Sequence, residues 1–313
     1  MGTVHDLLQE RGKQGTLNLG WDRRVVETAS EYLSDEESNI AFAFSGWAQV
    51  ALPHKRLADD EAWSLVTDRA SLLILPGGKL SETGEVVPVG VPFGSRARMI
   101  MLYLQTEAIR TQSREVELGK SLRNWLAKMG ISIGGKSVKE VRDQAERLSH
   151  CRLTLEIRQV GKKLLHNQQI VERSMFLDMD DNPQGTMFLE AAQLSESFFE
   201  QLKKHPVPIE DAAIKAISNH SMTLDIYLWL AYRLHVLQAA CPVSWGAVQA
   251  QFGRGFKRTG HFRAAFQESL QMALAVYPTA KVEVGPGGLT LHPSAPPIAR
   301  KPHVVALPAP KAG

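Results

Sequence analysis

The stretch RGFKRTGHFRAAFQESLQMALAVYP, residues 254–278, determines the fold class predicted for this chain. Its apolar residues recur at steps of four and three, the spacing that places side chains on one face of an α-helix. The residues of this face are Phe262, Phe266, Leu270, Ala273 and Tyr277. The opposite face is polar, has Ala264 at its centre and is basic at its N-terminal end. The pattern predicts a helix that buries one face and presents the other to a partner.

The segments around this helix complete a small domain. Residues 224–237 (LDIYLWLAYRLHVL) predict an apolar helix with Asp225 near its start, where the helix dipole favours an acid. SWGAVQAQF (244–252) predicts a short second helix, and GRGFKRTG forms a glycine-bearing turn before the third. AKVEV and LTLHP then predict a hairpin around GPGG. Three helices followed by two strands are the element order of a winged-helix domain.

The first half of the chain shows the same order. Residues 97–111 and 121–129 have helical spacing, and the glycine turn GISIGGKS (130–137) follows them. Ser137 with Glu140 predicts a capping box that opens a third helix. Strands are then predicted at CRLTLEIRQ and, after a turn around GKK, at IVERSMFL and TMFLEA, while apolar runs separated by Gly and Pro predict further strands upstream. We therefore predict an α+β protein with two tandem winged-helix domains, the first with extra N-terminal strands.

The charge of the chain is unevenly distributed. The net charge is only +3, but residues 110–163 carry +7 and residues 205–313 carry +5, so the remainder carries −9. Two basic segments indicate a polyanionic partner. The sequence shows no apolar run of membrane-spanning length and no signal-peptide pattern, and its two cysteines stand far apart, so we predict a cytoplasmic protein without a disulfide framework.

A basic turn that leads into a polar helix face has the chemistry that binds duplex DNA. A small residue in that face lets the backbone approach the major groove, donors near the helix start meet base edges, and Lys or Arg around the turn bind phosphates. The residues predicted to contact DNA in the second half are Arg254, Lys257, Arg258, His261, Arg263, Gln267 and Gln271. The parallel set in the first half is Lys136, Ser137, Lys139, Arg142 and Arg147.

Composition divides the chain into four segments. Residues 1–39 are predicted to be a partly disordered N-terminal segment, and residues 40–204 the first winged-helix domain, which binds DNA, forms dimers or does both. Residues 205–293 are predicted to be the second winged-helix domain, which contacts DNA most, and residues 294–313 a disordered proline-rich tail. KKHPVPIE (203–210), with two prolines, is predicted to link the two domains.

Two segments suggest catalysis only when taken alone. GISIGGKS (130–137) fits the phosphate-loop pattern, but such a loop must follow a buried strand, and here it follows the helical segment LRNWLAKM. The acidic loop DMDDNP (178–183) has no patterned partner carboxylate or lysine for a metal site, and the ten histidines lack zinc-site spacing. We therefore predict no catalytic residues, no cofactor and no metal.

An ordered series of segments resembles the plasmid-encoded RepA replication initiators. The segments are LPHK (52–55), VGVPFGSRARMIMLYLQTEAIRTQSREVELGKSLRNWLAKMGI (89–131), VRDQAERL (141–148), TLDIYLWLAYRL (223–234) and FRAAFQESLQMALAVYP with the hairpin after it. The resemblance runs from about residue 40 to residue 297. It implies tandem winged-helix domains that bind direct repeats, or iterons, in a plasmid origin, help to open an adjacent AT-rich stretch and recruit the host initiator and helicase. It also implies homodimers that repress the initiator's own gene.

Two other hypotheses remain open at the level of sequence. A transcriptional repressor or partition protein with the same fold would share the DNA site and differ only in lacking a role in replication. A nucleotide hydrolase that uses Gly130 to Ser137 would release phosphate from ATP in the presence of magnesium.

Overall fold

The computed structural model describes residues 3–37, 39–119, 121–159, 162–177 and 188–298 of the 313-residue chain. The helices are α1 Val4–Asn18, α2 Arg23–Ser34, α3 Gly94–Thr111, α4 Leu122–Lys128, α5 Gly135–His150, α6 Glu196–Lys204, α7 Asp211–Ala216, α8 Ser221–Arg233, α9 Trp245–Phe252 and α10 Thr259–Ala275. The strands are β1 Ile40–Phe44, β2 Trp63–Val66, β3 Ala70–Leu75, β4 Gly77–Leu80, β5 Val86–Val89, β6 Glu115–Glu117, β7 Arg152–Gln159, β8 Lys162–Gln168, β9 Val171–Leu177, β10 Phe188–Leu194, β11 Pro206–Glu210, β12 Cys241–Ser244, β13 Val282–Gly285 and β14 Gly288–Leu291.

The two halves of the chain share one plan. In the second half, α8 is followed by β12, α9, α10 and the hairpin β13–β14, and the sheet order is β12-β14-β13. In the first half, α3 is followed by β6, α4 and α5, and the sheet order is β6-β10-β9. In both sheets the last strand lies in the middle and pairs antiparallel with its two neighbours. The predicted α+β fold of two tandem winged-helix units is confirmed.

The first unit contains an insertion that the sequence did not predict correctly. The strand CRLTLEIRQ, predicted to begin the wing, is β7, and it pairs with β3 and β8 in a separate antiparallel sheet of order β2-β3-β7-β8. The segment KKLLHNQ after the predicted turn is the strand β8. Two of the extra N-terminal strands, β2 and β3, therefore join the first unit through this inserted hairpin, and β9 and β10 form the wing.

The predicted linker at residues 203–210 is instead largely β-strand. Its second part, β11, pairs antiparallel with β1, and Val207 and Ile209 are buried. Pro206 and Pro208 lie opposite Phe44 and Phe42. The amide of Phe44 donates to Gln105 of α3 at 2.6 Å, and the amide of Phe42 donates to Thr106 of α3 at 2.9 Å. These two residue pairs of the ladder therefore require no amide donor from β11. Prolines are compatible with a strand at positions of this kind.

The described part of the N-terminal segment also differs from the predicted partial disorder. It contains two helices, and α2 begins after Asp22, whose carboxylate accepts from the amides of Arg24 and Val25. Val25, Val26 and Ala29 are buried because α2 packs on α7 and α10. An amphipathic helix with a covered apolar face is ordered by this packing rather than by its own propensity.

The two winged-helix units share a continuous apolar core. Helix α8 packs on both α3 and α10, and one cluster of buried side chains includes residues of both units. Within this junction the guanidinium of Arg98 on α3 donates to both carboxylate oxygens of Asp225 on α8 at 2.6 Å. The same guanidinium also donates to the carbonyls of Leu52 and Gly94, each at 2.8 Å. The junction is thus held by a buried ion pair within an apolar contact.

Candidate nucleic-acid interface

Helix α10 has the two faces that its sequence predicts. The apolar face is buried, with Phe262, Phe266 and Ala273 at 0% exposure. The residues predicted to contact DNA, all exposed to solvent, are Arg254, Lys257, Arg258, His261, Arg263, Gln267 and Gln271. Ala264 is exposed at the centre of this face, so the backbone of α10 is open to close approach. These residues form what we call the α10 face, residues 254–271 without their buried members.

The cations of the α10 face are not neutralised by acids. Among the residues that the structure describes, no carboxylate lies within 4 Å of Lys257, Arg258 or Arg263. Two of the arginines stack on aromatic rings, since the guanidinium of Arg254 lies 5.2 Å from the ring centre of Trp63 and that of Arg263 lies 5.2 Å from that of Trp245. Stacking fixes the position of a guanidinium and keeps its charge. The face therefore presents positioned positive charge.

The turn before α10 is shaped by close packing. Helix α9 ends at Phe252, and a Cβ atom added to Gly253 would lie 2.9 Å from the ring of Phe262 and 2.7 Å from the side chain of Gln249. A side chain at this position would therefore push the start of α10 away from α9. The N-cap of helix α9 is Ser244, whose hydroxyl accepts from the amide of Ala247. Together these contacts set the angle at which the basic turn meets α10.

The parallel set on α5 is only partly exposed. Lys136 and Lys139 are exposed, although the Lys136 amine lies 3.9 Å from Glu140, and Arg142 is half-buried. Ser137 and Arg147 are buried at 8% and 4% exposure and do not belong to an exposed face.

The environment of Arg147 explains its burial. Its guanidinium donates to Asp59 at 2.9 Å and to Asp143 at 3.0 Å, and it lies 5.3 Å from the ring centre of Phe93. Partial burial acts to raise the pKa of Asp59, but the hydrogen bonds from Arg147 and Arg56 outweigh it and lower that pKa. Arg147 thus ties α5 to the segment before α3 and is not available to a partner.

The predicted capping box at Ser137 does not form. Helix α5 begins at Gly135, two residues earlier, after an N-cap glycine that has no side chain to accept from the helix. Ser137 therefore lies within the first turn, and its side chain is buried. The preceding turn leaves α4 at Gly130, whose φ of 66° favours glycine.

The structure also shows the context of the other two segments singled out from the sequence. GISIGGKS joins the helices α4 and α5, so it does not follow a strand as a phosphate loop does. DMDDNP lies outside the described residues. Within the described ranges, no group of three or more His, Cys, Asp or Glu is placed to hold a metal ion. No helix there combines the length and the apolar character needed to cross a membrane.

Comparison with known proteins relates the chain to one protein family and to solved structures of RctB. Residues 91–246 match the family described as "Plasmid encoded RepA protein". A crystal structure of domains 2 and 3 of RctB, from selenomethionine derivatives, aligns with a TM-score of 0.51 at 11% identity over 80% of this chain and 97% of that one. A second crystal structure of RctB domains 2-3 aligns with a TM-score of 0.48 at 11% identity over 79% and 94%. No curated protein matches the sequence.

The family match covers α3 to β12 and the start of α9, and α10 lies beyond its end. It confirms the resemblance within that range, and the RctB alignment, at 11% identity, bears on the fold alone. Through residues 91–246, the chain belongs to the family of plasmid-encoded RepA proteins.

Proposed function

We propose that this protein initiates plasmid replication by binding direct repeats, or iterons, in the origin DNA. The observation that carries the proposal is the α10 face, where Lys257, Arg258 and Arg263 are exposed around a helix with a small central residue, and no carboxylate of the described residues lies within 4 Å of them. Membership in the RepA family supplies the connection to plasmid replication. Binding would place α10 in the major groove and the exposed lysines of α5 beside a neighbouring groove, so each repeat would span about 20 base pairs.

The α10 face makes two kinds of DNA contact in this proposal. Lys257 and Arg258, at the start of the helix, bind phosphates and set the docking position, whereas Gln267 and Gln271 contact base edges. Replacing both Lys257 and Arg258 with alanine should weaken binding to specific and unrelated duplexes alike and reduce the salt dependence of log K by about two. Replacing Gln267 or Gln271 with alanine should mainly change sequence preference.

The direct test is nuclease protection across the DNA that flanks the gene, at two salt concentrations. A ladder of protected repeats, each about two helical turns long, is the expected result. Arg110→Ala, which removes an exposed cation from the end of α3, serves as the matched control and should leave protection unchanged. Unaltered binding by the Lys257→Ala, Arg258→Ala double variant would rule out the α10 face as the DNA site.

The proposal includes the host initiator and helicase as partners, a cytoplasmic location and a homodimer that represses the gene. The hairpin β4–β5 supports self-association, because Leu80 and Val86 are exposed at 72% and 74% and Val87 at 40%. Sedimentation of a Leu80→Lys, Val86→Lys variant tests this part of the proposal, and we expect it to be monomeric at concentrations where the parent protein dimerises.

A transcriptional repressor without a replication role is the second candidate. The same α10 face would serve it, since DNA binding alone does not separate the two functions. Protection of a single inverted repeat over the promoter, with no protected direct repeats elsewhere, would favour the repressor. Neither candidate requires catalytic residues, a cofactor or a metal.

A further inference from the structure

The exposed side of α10 does not continue to the end of the helix. Ala275 lies on the same side of the helix as Ala264 and Glu268, because the three residues follow at steps of four and seven. Ala275 is nevertheless buried, and so is Met272 one turn before the end. The side chains that cover them are Val4 of α1 and Val25, Val26 and Ala29 of α2, in an apolar cluster separate from the main core.

Polar contacts fix the position of this helical pair. The imidazole Nε2 of His5 lies 2.8 Å from the carbonyl oxygen of Ala275 at the end of α10. The hydroxyl of Tyr32 donates to Glu210 at 2.6 Å, which holds the end of α2 on β11. Between these points the guanidinium of Arg24 donates to Glu268 at 3.2 Å. The start of α2 therefore lies beside the C-terminal part of the α10 face.

The Arg24 contact changes the charge of that face. Glu268 is the only carboxylate in α10 and lies between Gln267 and Gln271, the residues proposed to contact bases. A carboxylate at the surface of duplex DNA is repelled by the phosphates unless a cation neutralises it. Arg24 supplies that cation, and its neighbour Arg23 has a side chain that is 75% exposed. Three of the positive charges of the N-terminal segment, Lys13, Arg23 and Arg24, thus lie at one end of the α1–α2 pair, around Asp22, Glu27 and Glu268.

We propose that the helical pair α1–α2 is a third element of the DNA interface, in which Arg24 neutralises Glu268 and Arg23 contacts the phosphate backbone beside the groove that α10 enters. This inference rests on the proposed function, because it requires that α10 binds DNA. It assigns a role to a segment outside the range matched by the family. It also predicts that Arg24 acts through Glu268, whereas Arg23 acts directly on the DNA.

The experiment measures equilibrium binding to a mixed-sequence duplex of 30 base pairs, since phosphate contacts do not depend on sequence. We expect Arg24→Ala to weaken binding on the order of fivefold, consistent with one unneutralised charge at an interface. In a Glu268→Gln background the same substitution should have little effect, and the exchange Arg24→Glu with Glu268→Arg should restore affinity. Arg23→Ala should make the slope of log K against log salt shallower by about one.

The controls separate this inference from the proposed function. Thermal unfolding followed by circular dichroism shows whether α1–α2 stays docked in each variant. The charge exchange tests the contact between residues 24 and 268 even if Arg24→Ala detaches α1–α2 from α10. Wild-type affinity in Arg24→Ala, together with a large loss in the Lys257→Ala, Arg258→Ala variant, would refute the role of α1–α2 and leave the proposed function intact. Tighter binding in Arg24→Ala would also refute it, because α1–α2 would then shield α10 from DNA. If neither variant lost affinity for DNA, the proposed function itself would be overturned.

Discussion

His54 shows how a single side chain can make the junction between the two units sensitive to pH. Its Nδ1 atom lies 3.1 Å from the hydroxyl of Ser221 on α8 and 3.4 Å from the guanidinium of Arg98 on α3. Burial and the charge of Arg98 lower the pKa of His54 to about 3. The imidazole is therefore neutral at pH 7, and its protonation would place a second positive charge beside Arg98.

We predict that acid destabilises the protein through His54. An unfolded histidine titrates near pH 6.5, so between about pH 6.5 and pH 3 the unfolded state binds more protons than the folded state, and stability falls as the pH falls. The expected loss is about 1.4 kcal/mol per pH unit in this window, or about 2 kcal/mol at pH 5. Urea unfolding at pH 7 and pH 5 should show a smaller loss for His54→Gln than for the parent protein.

The matched control is His261→Gln, which changes an exposed histidine of α10. It should keep the pH dependence of the parent protein. Identical losses between pH 7 and pH 5 in His54→Gln and the parent would show that His54 does not limit stability in acid.

Residue-level prediction from sequence worked where a side chain's environment is local. The exposed cations of α10 follow from helical spacing within one segment, and all of them are exposed as predicted. Arg147 lies away from the core stripe of α5 and was predicted to be exposed for the same reason. It is buried by Asp59 and Phe93, which precede it by 88 and 54 positions. Local periodicity cannot predict a contact between residues so far apart in the sequence.

At the scale of elements, the strand β11 has a larger role than a linker. Ile209 is fully buried in its pairing with β1, whereas Pro208 next to it is exposed and lies opposite Phe42. The strand also bears Glu210, which accepts from Tyr32 and whose amide donates to the hydroxyl of Tyr227. It therefore connects β1, α2 and α8 in one place.

We predict that Ile209→Ala destabilises the protein by about 2–5 kcal/mol, because it leaves a cavity among packed side chains. Pro208→Ala, in the same strand, removes an exposed ring from a position that needs no hydrogen-bond donor and should change stability by less than about 1 kcal/mol. Chemical unfolding followed by tryptophan fluorescence measures both. Equal and small effects of the two substitutions would indicate that the segment behaves as a linker.

Helices α5 and α10, the third helix of each winged-helix unit, are covered in a similar way. The end of α10 is covered by α1 and α2, and α5 contacts β4 and β5, with an ion pair between Lys79 and Glu146. In each case the covering elements come from chain that precedes the winged-helix unit. In α10 the face that remains exposed extends to Gln271, so it includes both glutamines that are proposed to contact base edges.

For the whole molecule, the order of elements was predictable and the way they join was not. Helical and strand periodicities repeat within a few residues, so both winged-helix units could be predicted from the sequence. The pairing of β1 with β11 joins residues about 165 positions apart, and the ion pair between Arg98 and Asp225 joins residues 127 apart. Asp225 was predicted only to favour the helix dipole at the start of α8, yet it is buried at 5% exposure.

We predict that the Arg98–Asp225 pair fixes the spacing between the two units and thereby the length of DNA that they bind together. Asp225→Ala leaves a buried guanidinium without its partner and should lower the free energy of unfolding by about 3–5 kcal/mol. Replacing both residues, as Arg98→Met with Asp225→Leu, removes the uncompensated charge and should recover most of that loss.

Binding separates the role in spacing from the role in stability. In the proposed complex α5 and α10 enter neighbouring grooves, so a duplex of about 20 base pairs engages both units and one of about 10 engages only α10. Under conditions where Asp225→Ala remains folded, a looser junction should weaken binding to the longer duplex and leave binding to the shorter one unchanged. If apolar packing alone holds the two units in register, the variant Arg98→Met with Asp225→Leu should keep its affinity for the longer duplex. Equal losses on both duplexes would mean that the ion pair stabilises the fold without setting the spacing of the two helices.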